Sequence, residues 1–227
     1  ESKNILNEFY PEPSMKVLLT GANGYIGKRL LYLLLERDLE VVCCVRDAGR
    51  FNHALVNHPQ LTIIEADFLK PDTLNHIPQD IDAAYYLMHA MSVSGNGFED
   101  REKQMAQNFL AIATQRSFEQ VIYLGGIAND NELSPHLRSR LNTEKILSRG
   151  PYNFTALRAG IIVGSGSGSF EIIRDLVEKL PLMIAPRWLK TKSQPIAVNN
   201  ILEILDKTLL NKALYNKTFD IAGPEVM

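Results

Sequence analysis

The sequence is short of cysteine, of long apolar runs and of excess charge, and each shortage removes a class of protein. Its two cysteines, Cys43 and Cys44, are chain neighbours. Neighbouring side chains on a strand point to opposite faces, so a bridge between them is sterically poor. With no third cysteine there is neither a disulfide framework nor a CxxC redox or metal motif, and no metal site is expected. The expectation is two half-buried strand thiols in a reducing, cytoplasmic compartment. No apolar run exceeds six residues, the length of residues 30–35, far below the roughly 20 that a membrane-spanning helix needs. The N-terminus lacks the basic segment and apolar run of a secretory signal. Lys and Arg number 24 against 26 Asp and Glu, a formal charge of −2, whereas nucleic-acid and acidic-membrane binders carry a basic excess. Neither a nucleic acid nor a membrane is an expected partner, and a small-molecule substrate is left open.

What is present is ordinary for a globular chain: 227 residues, 45% hydrophobic and 22% charged. At about 150 residues per domain this is one large domain or one with a small appendage, long enough to fold without staples. Residues 1–14 carry Pro11 and Pro13 and no periodicity, and read as a tail or appended remnant outside the fold. Met15 opens directly onto an apolar run. The other end, residues 221–227, stops at a turn signal. The expectation is one domain over 15–227, either an open-pocketed whole or a piece cut before a C-terminal domain.

From residue 15 short β-branched runs alternate with helical stretches. Strands are predicted at 17–20, 40–45, 61–65, 83–88, 120–124, 154–163 and 218–221. Helices are predicted at 26–36, 98–116, 137–148, 170–180 and 199–210. In the first helix Ile26, Leu30, Leu33 and Leu34 recur at helical spacing. Such alternation implies βαβ units with right-handed crossovers, hence an α/β fold: a Rossmann-like doubly wound parallel sheet in three layers, α/β/α.

The first strand runs into Gly21-Ala22-Asn23-Gly24-Tyr25-Ile26-Gly27, which opens a helix. Glycines at this spacing make a tight turn, let a pyrophosphate approach the backbone, and let helix pack on strand. The free N–H groups and dipole of the helix N-terminus favour the anion. The strand–turn–helix context points to a dinucleotide. At the end of the second strand a carboxylate would select NAD and an arginine NADP. Arg46 stands there, with Asp47 one residue further out, so NADP(H) is favoured over NAD(H); the alternative is that Arg46 is a surface charge.

These residues resemble a family. The glycine turn, Val45-Arg46-Asp47 and Glu65-Ala66-Asp67-Phe68-Leu69 are similar to the cofactor half of extended and atypical short-chain dehydrogenase/reductases. Leu157-Arg158-Ala159-Gly160, Val163-Gly164, Pro195-Ile196-Ala197-Val198-Asn199-Asn200 and Phe219-Asp220-Ile221-Ala222-Gly223-Pro224 continue the likeness across residues 15–224. It is nearest to bacterial NAD(P)H-binding proteins of the nucleoside-diphosphate-sugar epimerase type. The resemblance implies that Asp67 and Phe68 border the adenine, that His89 and Ala90 lie beside the nicotinamide ribose, and that Ala159 to Ile162 lie near the nicotinamide. A satisfied strand-end histidine is the alternative for His89.

The family's chemistry uses a Tyr acid/base, a Lys four residues later on the same helix face, and a Ser at the end of strand five. Here strand five ends Leu124-Gly125-Gly126-Ile127, without that Ser. The family's register puts His136 where Tyr would be and Arg140 where Lys would be, sharing a helix face. His136 could donate a proton, and Arg140 would keep a cation for ribose and phosphate, though Arg does not simply replace Lys. Equally, Ser134-Pro135-His136 reads as a helix start, with Ser134 as N-cap and Pro135 at N1. Ser134 is also a second candidate for the Ser role. The standard triad is absent. Two functions follow: an NADPH-dependent oxidoreductase or epimerase-like enzyme using His136, or a non-catalytic NmrA-like NADP(H) redox sensor or assembly factor.

Three features stay open. Residues 164–169, Gly and Ser alternating, bind a phosphate or flex. Arg187 and Trp188 are substrate contacts by the family's placement, or a Trp packed on the sheet end with a solvated Arg. The 98–116 helix, with Met105, Phe109, Ile112 and Ala113 on one stripe, serves a homodimer or the sheet.

Overall fold

The structure, a computed structural model, describes residues 15–51, 54–89, 97–128, 134–166 and 194–226. The strands are β1 (Lys16–Thr20), β2 (Glu40–Val45), β3 (Leu61–Glu65), β4 (Ala83–Tyr86), β5 (Gln120–Gly126), β6 (Asn153–Ala159), β7 (Ile162–Val163), β8 (Ile196–Ala197) and β9 (Lys217–Ile221). The helices are α1 (Tyr25–Glu36), α2 (Phe98–Arg116), α3 (Pro135–Leu147) and α4 (Val198–Thr208). Among the described residues seven strands form one sheet in the order β3-β2-β1-β4-β5-β6-β9, every pairing parallel. This is the Rossmann-like α/β architecture expected. The chain order reverses between β1 and β4, and in such sheets ligands bind beyond the carboxyl ends of the strands at that reversal.

Two apolar layers hold the sheet. One face packs Val17, Leu19, Cys43 and Tyr85 against Leu30 and Leu34 of α1 and Ile201 and Leu205 of α4. The other packs Leu18, Cys44, Tyr86 and Tyr123 against Phe109 and Ile112 of α2 and Leu147 of α3. Cys43 and Cys44 thus point to opposite faces. Both are fully buried, not half-buried as expected, because helices cover both faces of β2.

Boundaries moved where tertiary contacts overrode local pattern. Predicted strand 83–88 stops at Tyr86, because the Thr20 hydroxyl accepts the Leu87 N–H (3.2 Å) while donating to the Tyr85 carbonyl (3.0 Å). Predicted strand 154–163 divides at Gly160. A Cβ there would stand 2.3 Å from the Gln194 carbonyl oxygen, and Ile162–Val163 pairs instead with Ile196–Ala197. Predicted helix 170–180 lies outside the described residues. No helix among the described residues is long and apolar enough to cross a membrane.

Candidate functional site

The glycine turn sits where β1 meets the sheet reversal. Gly21 has φ +70°, left-handed backbone that suits glycine, and a Cβ on it would stand 2.6 Å from the Leu87 carbonyl oxygen. The turn closes through Gly24 N–H to Gly21 O, 2.8 Å. A Cβ on Gly27 would lie 2.2 Å from Gly21 O. So the three glycines press the turn against β4 and bring α1 down onto it. Gly24 caps α1, and no side chain among the described residues bonds to the helix's first N–H groups. Asn23 and Gly24 are exposed and Tyr25 and Ile26 partly so. The cradle is open and electropositive.

At the end of β2, Arg46 is exposed and has no polar partner among the described residues. Asp47 is engaged: its Oδ1 accepts from Gly49 N (2.9 Å) and its Oδ2 pairs with Arg50 Nε (3.2 Å). At the end of β3, Asp67 accepts from Leu69 N at 3.0 Å. Phe68 is 2% exposed, its ring 5.9 Å from that of Phe109. What Phe68 can offer an adenine is therefore main chain, not its ring.

The ends of β4, β5 and α3 form a second corner. His89, partly exposed, follows β4 two residues beyond the Leu87 that touches Gly21. Burial, helped by the positive charge of Arg140, pushes its pKa down from 6.5 to about 3, so it is neutral near pH 7. Arg140 lies over Gly126: a Cβ on that glycine would be 3.1 Å from Arg140 Nη1. The Arg140 carbonyl accepts from the Tyr123 hydroxyl (3.0 Å). Burial pushes that Tyr123 hydroxyl well above the usual phenol range. His136 is exposed, its ring 4.7 Å from Phe98 of α2. Ser134 caps α3 through Leu137 N (3.3 Å) with Pro135 at the first helical position, the helix start read in the sequence.

Ala159 is buried at the end of β6; Ile161 is 42% exposed and Ile162 partly so. Arg187 and Trp188 lie outside the described residues. Two groups escaped the sequence reading because only folding brings them together. Glu144 and Arg158 form a two-pronged ion pair at 2.9 and 2.8 Å. Arg29 covers the Tyr25 ring at 4.0 Å and donates to Ser165 O at 2.8 Å, tying α1 to the start of the Gly/Ser stretch. The Tyr25 hydroxyl is buried beside Gly164 with no hydrogen-bond partner among the described residues.

These residues fit a nicotinamide dinucleotide. The uncapped helix terminus and the glycine cradle, which any Cβ would fill, suit a pyrophosphate. Residues 21–181 match a protein family described as NAD(P)H-binding. An NmrA-like family domain-containing oxidoreductase, flvB of Aspergillus flavus, is 26% identical over 178 residues, covering 76% of this chain and 55% of that one. Photosystem II assembly factor Ycf39 of Synechocystis is 22% identical over 152 residues, covering 66% of this chain and 46% of that one. The chain thus spans about half the length of these curated relatives. In fold it is similar to Bordetella bronchiseptica WbmG in complex with NAD (TM-score 0.78, 16% identity, covering 96% of this chain and 76% of that one). It is also similar to yeast methylglyoxal/isovaleraldehyde reductase Gre2 complexed with NADPH (TM-score 0.74, 15% identity, covering 92% and 78%).

Proposed function

The chain belongs to the NAD(P)H-binding family and has the fold of its short-chain dehydrogenase/reductase relatives, and from that premise we propose that it is an NADP(H)-preferring oxidoreductase or epimerase-like enzyme. The observation that carries the reading is the open, uncapped N-terminus of α1 over Gly21, Gly24 and Gly27 at the sheet reversal. Gly21, Asn23, Gly24, Tyr25, Ile26 and Gly27 would hold the pyrophosphate. The exposed Arg46, with Asp47 tied down beside it, supports a 2′-phosphate. Asp67 and the Phe68 main chain would border the adenine; His89, Arg140, Ala159 and Ile162 would border the nicotinamide end. When bound, the dinucleotide supplies or accepts hydride at its nicotinamide. His136 holds the proton for the substrate oxygen, and Arg140 keeps the cation where the family has Lys. Arg187 and Trp188 join the proposal as substrate contacts, and the buried free thiols suit a cytoplasmic home.

A second reading, an NADP(H) sensor or assembly factor without turnover, is favoured by one observation: His136 stacks on Phe98 at an exposed edge while Gly126 leaves the Ser position empty of a hydroxyl. The similarity to an NmrA-like protein and to an assembly factor is in keeping with it. NADPH and NADH fluorescence titration, followed by a screen of aldehydes, ketones and quinones, decides between the two. The enzyme reading expects NADPH to bind at least tenfold tighter than NADH, and His136→Ala to remove turnover while leaving nucleotide affinity in place. Tight NADPH binding without turnover of any carbonyl sinks it in favour of the sensor.

A further inference from the structure

Between β3 and the short helical turn Pro71–His76 the chain is irregular, so its main-chain polar groups need partners outside any ladder. Most have one. The Asp67 N–H donates to Thr73 Oγ1 at 2.9 Å. The Asp67 carbonyl accepts from Lys70 N at 2.7 Å and from the Thr73 hydroxyl at 3.2 Å. Asp67 Oδ1 accepts from Leu69 N at 3.0 Å. The part-buried Phe68 carbonyl is taken from outside the loop, by Asn108 Nδ2 of α2 at 2.7 Å. Gln104 Nε2, one turn earlier on α2, donates to Asn108 Oδ1 at 3.0 Å. That bond occupies the amide oxygen of Asn108 and leaves its NH2 to face the loop. The Phe68 ring is buried against Phe109, the next residue of α2, so the helix grips both side chain and main chain of Phe68.

Two groups are left over. Among the described residues the Phe68 N–H and Asp67 Oδ2 have no hydrogen-bond partner. One donor beside one acceptor complements the edge of adenine, whose ring N1 accepts and whose exocyclic amine donates. Hypoxanthine, with a protonated N1 and a carbonyl in place of the amine, presents the reverse. We propose that Asn108 is a positioning residue for the nucleotide base: by holding the Phe68 carbonyl from α2, it sets the main-chain geometry that tells adenine from a base with the reversed edge. This role deepens the proposed function and rests on its placing of the adenine at Asp67 and Phe68. Asn108 acts through Phe68. With the ring and carbonyl of that residue both fixed, its N–H has little freedom, because only two soft backbone torsions per residue remain. Without Asn108 the carbonyl loses its donor, and the loop turns to find another.

NADPH and its hypoxanthine analogue, deamino-NADPH, are the probes, titrated by nicotinamide fluorescence into the protein, with thermal melts to establish folding. Wild type is expected to prefer the adenine form by at least about tenfold, the scale of leaving a donor and an acceptor mispaired. Asn108→Leu, close in size but without a donor, brings that preference down to about one. Asn108→Asp, which keeps the shape and cannot donate, does the same. Gln104→Leu, a change at an exposed position, frees the Asn108 amide to turn and lowers the preference part of the way. A wild-type preference near one overturns the proposal. So does a preference that survives Asn108→Leu while both probes weaken equally, the result of a merely structural role. An unchanged preference in Gln104→Leu overturns it even where the Asn108 variants do not fold. A wild-type protein that binds neither probe defeats the proposed function itself, and this role with it.

Discussion

A methyl group at Gly27 would stand 2.2 Å from the Gly21 carbonyl oxygen and 2.9 Å from the Ala22 Cα, all backbone with nowhere to go. Gly27→Ala should therefore push α1 off the turn. The expected cost is about 2 kcal/mol or more of stability, since overpacking costs roughly 1–3 kcal/mol, with NADPH affinity falling at least tenfold; thermal melts with and without NADPH measure both. Wild-type affinity in a folded Gly27→Ala protein would refute the cradle. At this scale the glycine spacing was legible in the sequence because its function is steric and local. The burial of Phe68 was not, since its partner Phe109 is distant in the chain and meets it only through α2. Nor could spacing tell that Asp47 is held by Gly49 N and Arg50, which bears on the choice between NAD and NADP.

Among the elements, α2 matches its predicted span, Phe98–Arg116, and the reason is periodicity. Its buried stripe is Glu102, Ala106, Phe109, Ile112 and Ala113; Met105, placed on that stripe by the sequence, is only partly buried. Phe109 touches Tyr86 edge-on at 5.0 Å and Phe118 at 6.3 Å. Phe109→Ala should cost about 3–5 kcal/mol and lower Tm by roughly 10 °C for a chain of this size, while Phe109→Leu costs less than about 1.5 kcal/mol. Equal melting of the two variants would show that the cavity is not what matters. The split of the sixth predicted strand is the opposite case. Gly160 yields to the Gln194 carbonyl, a contact from far along the chain that no local pattern carries.

The whole molecule sets the protonation of His89. In the folded protein its pKa is pushed down to about 3 by burial and by Arg140; unfolded, it returns toward 6.5. Between those values the unfolded chain binds a proton that the folded one does not, so stability contributed by the neutral ring is present above about pH 6.5 and is lost as pH falls toward 3. Tm should drop between pH 7.5 and 5.0, and His89→Asn should flatten part of that slope. A variant with the wild-type slope would remove His89 as the cause. The sequence by itself determined the parallel α/β sheet and the dinucleotide turn, because periodicity and glycine spacing are written in neighbouring residues. Only the tertiary structure decided that Arg140 covers Gly126 beside a neutral His89, that Glu144 and Arg158 neutralise each other, and that Arg29 reaches Ser165. Those arrangements join residues from separate strands and helices, and distance along the chain says nothing of distance in space until the sheet has closed.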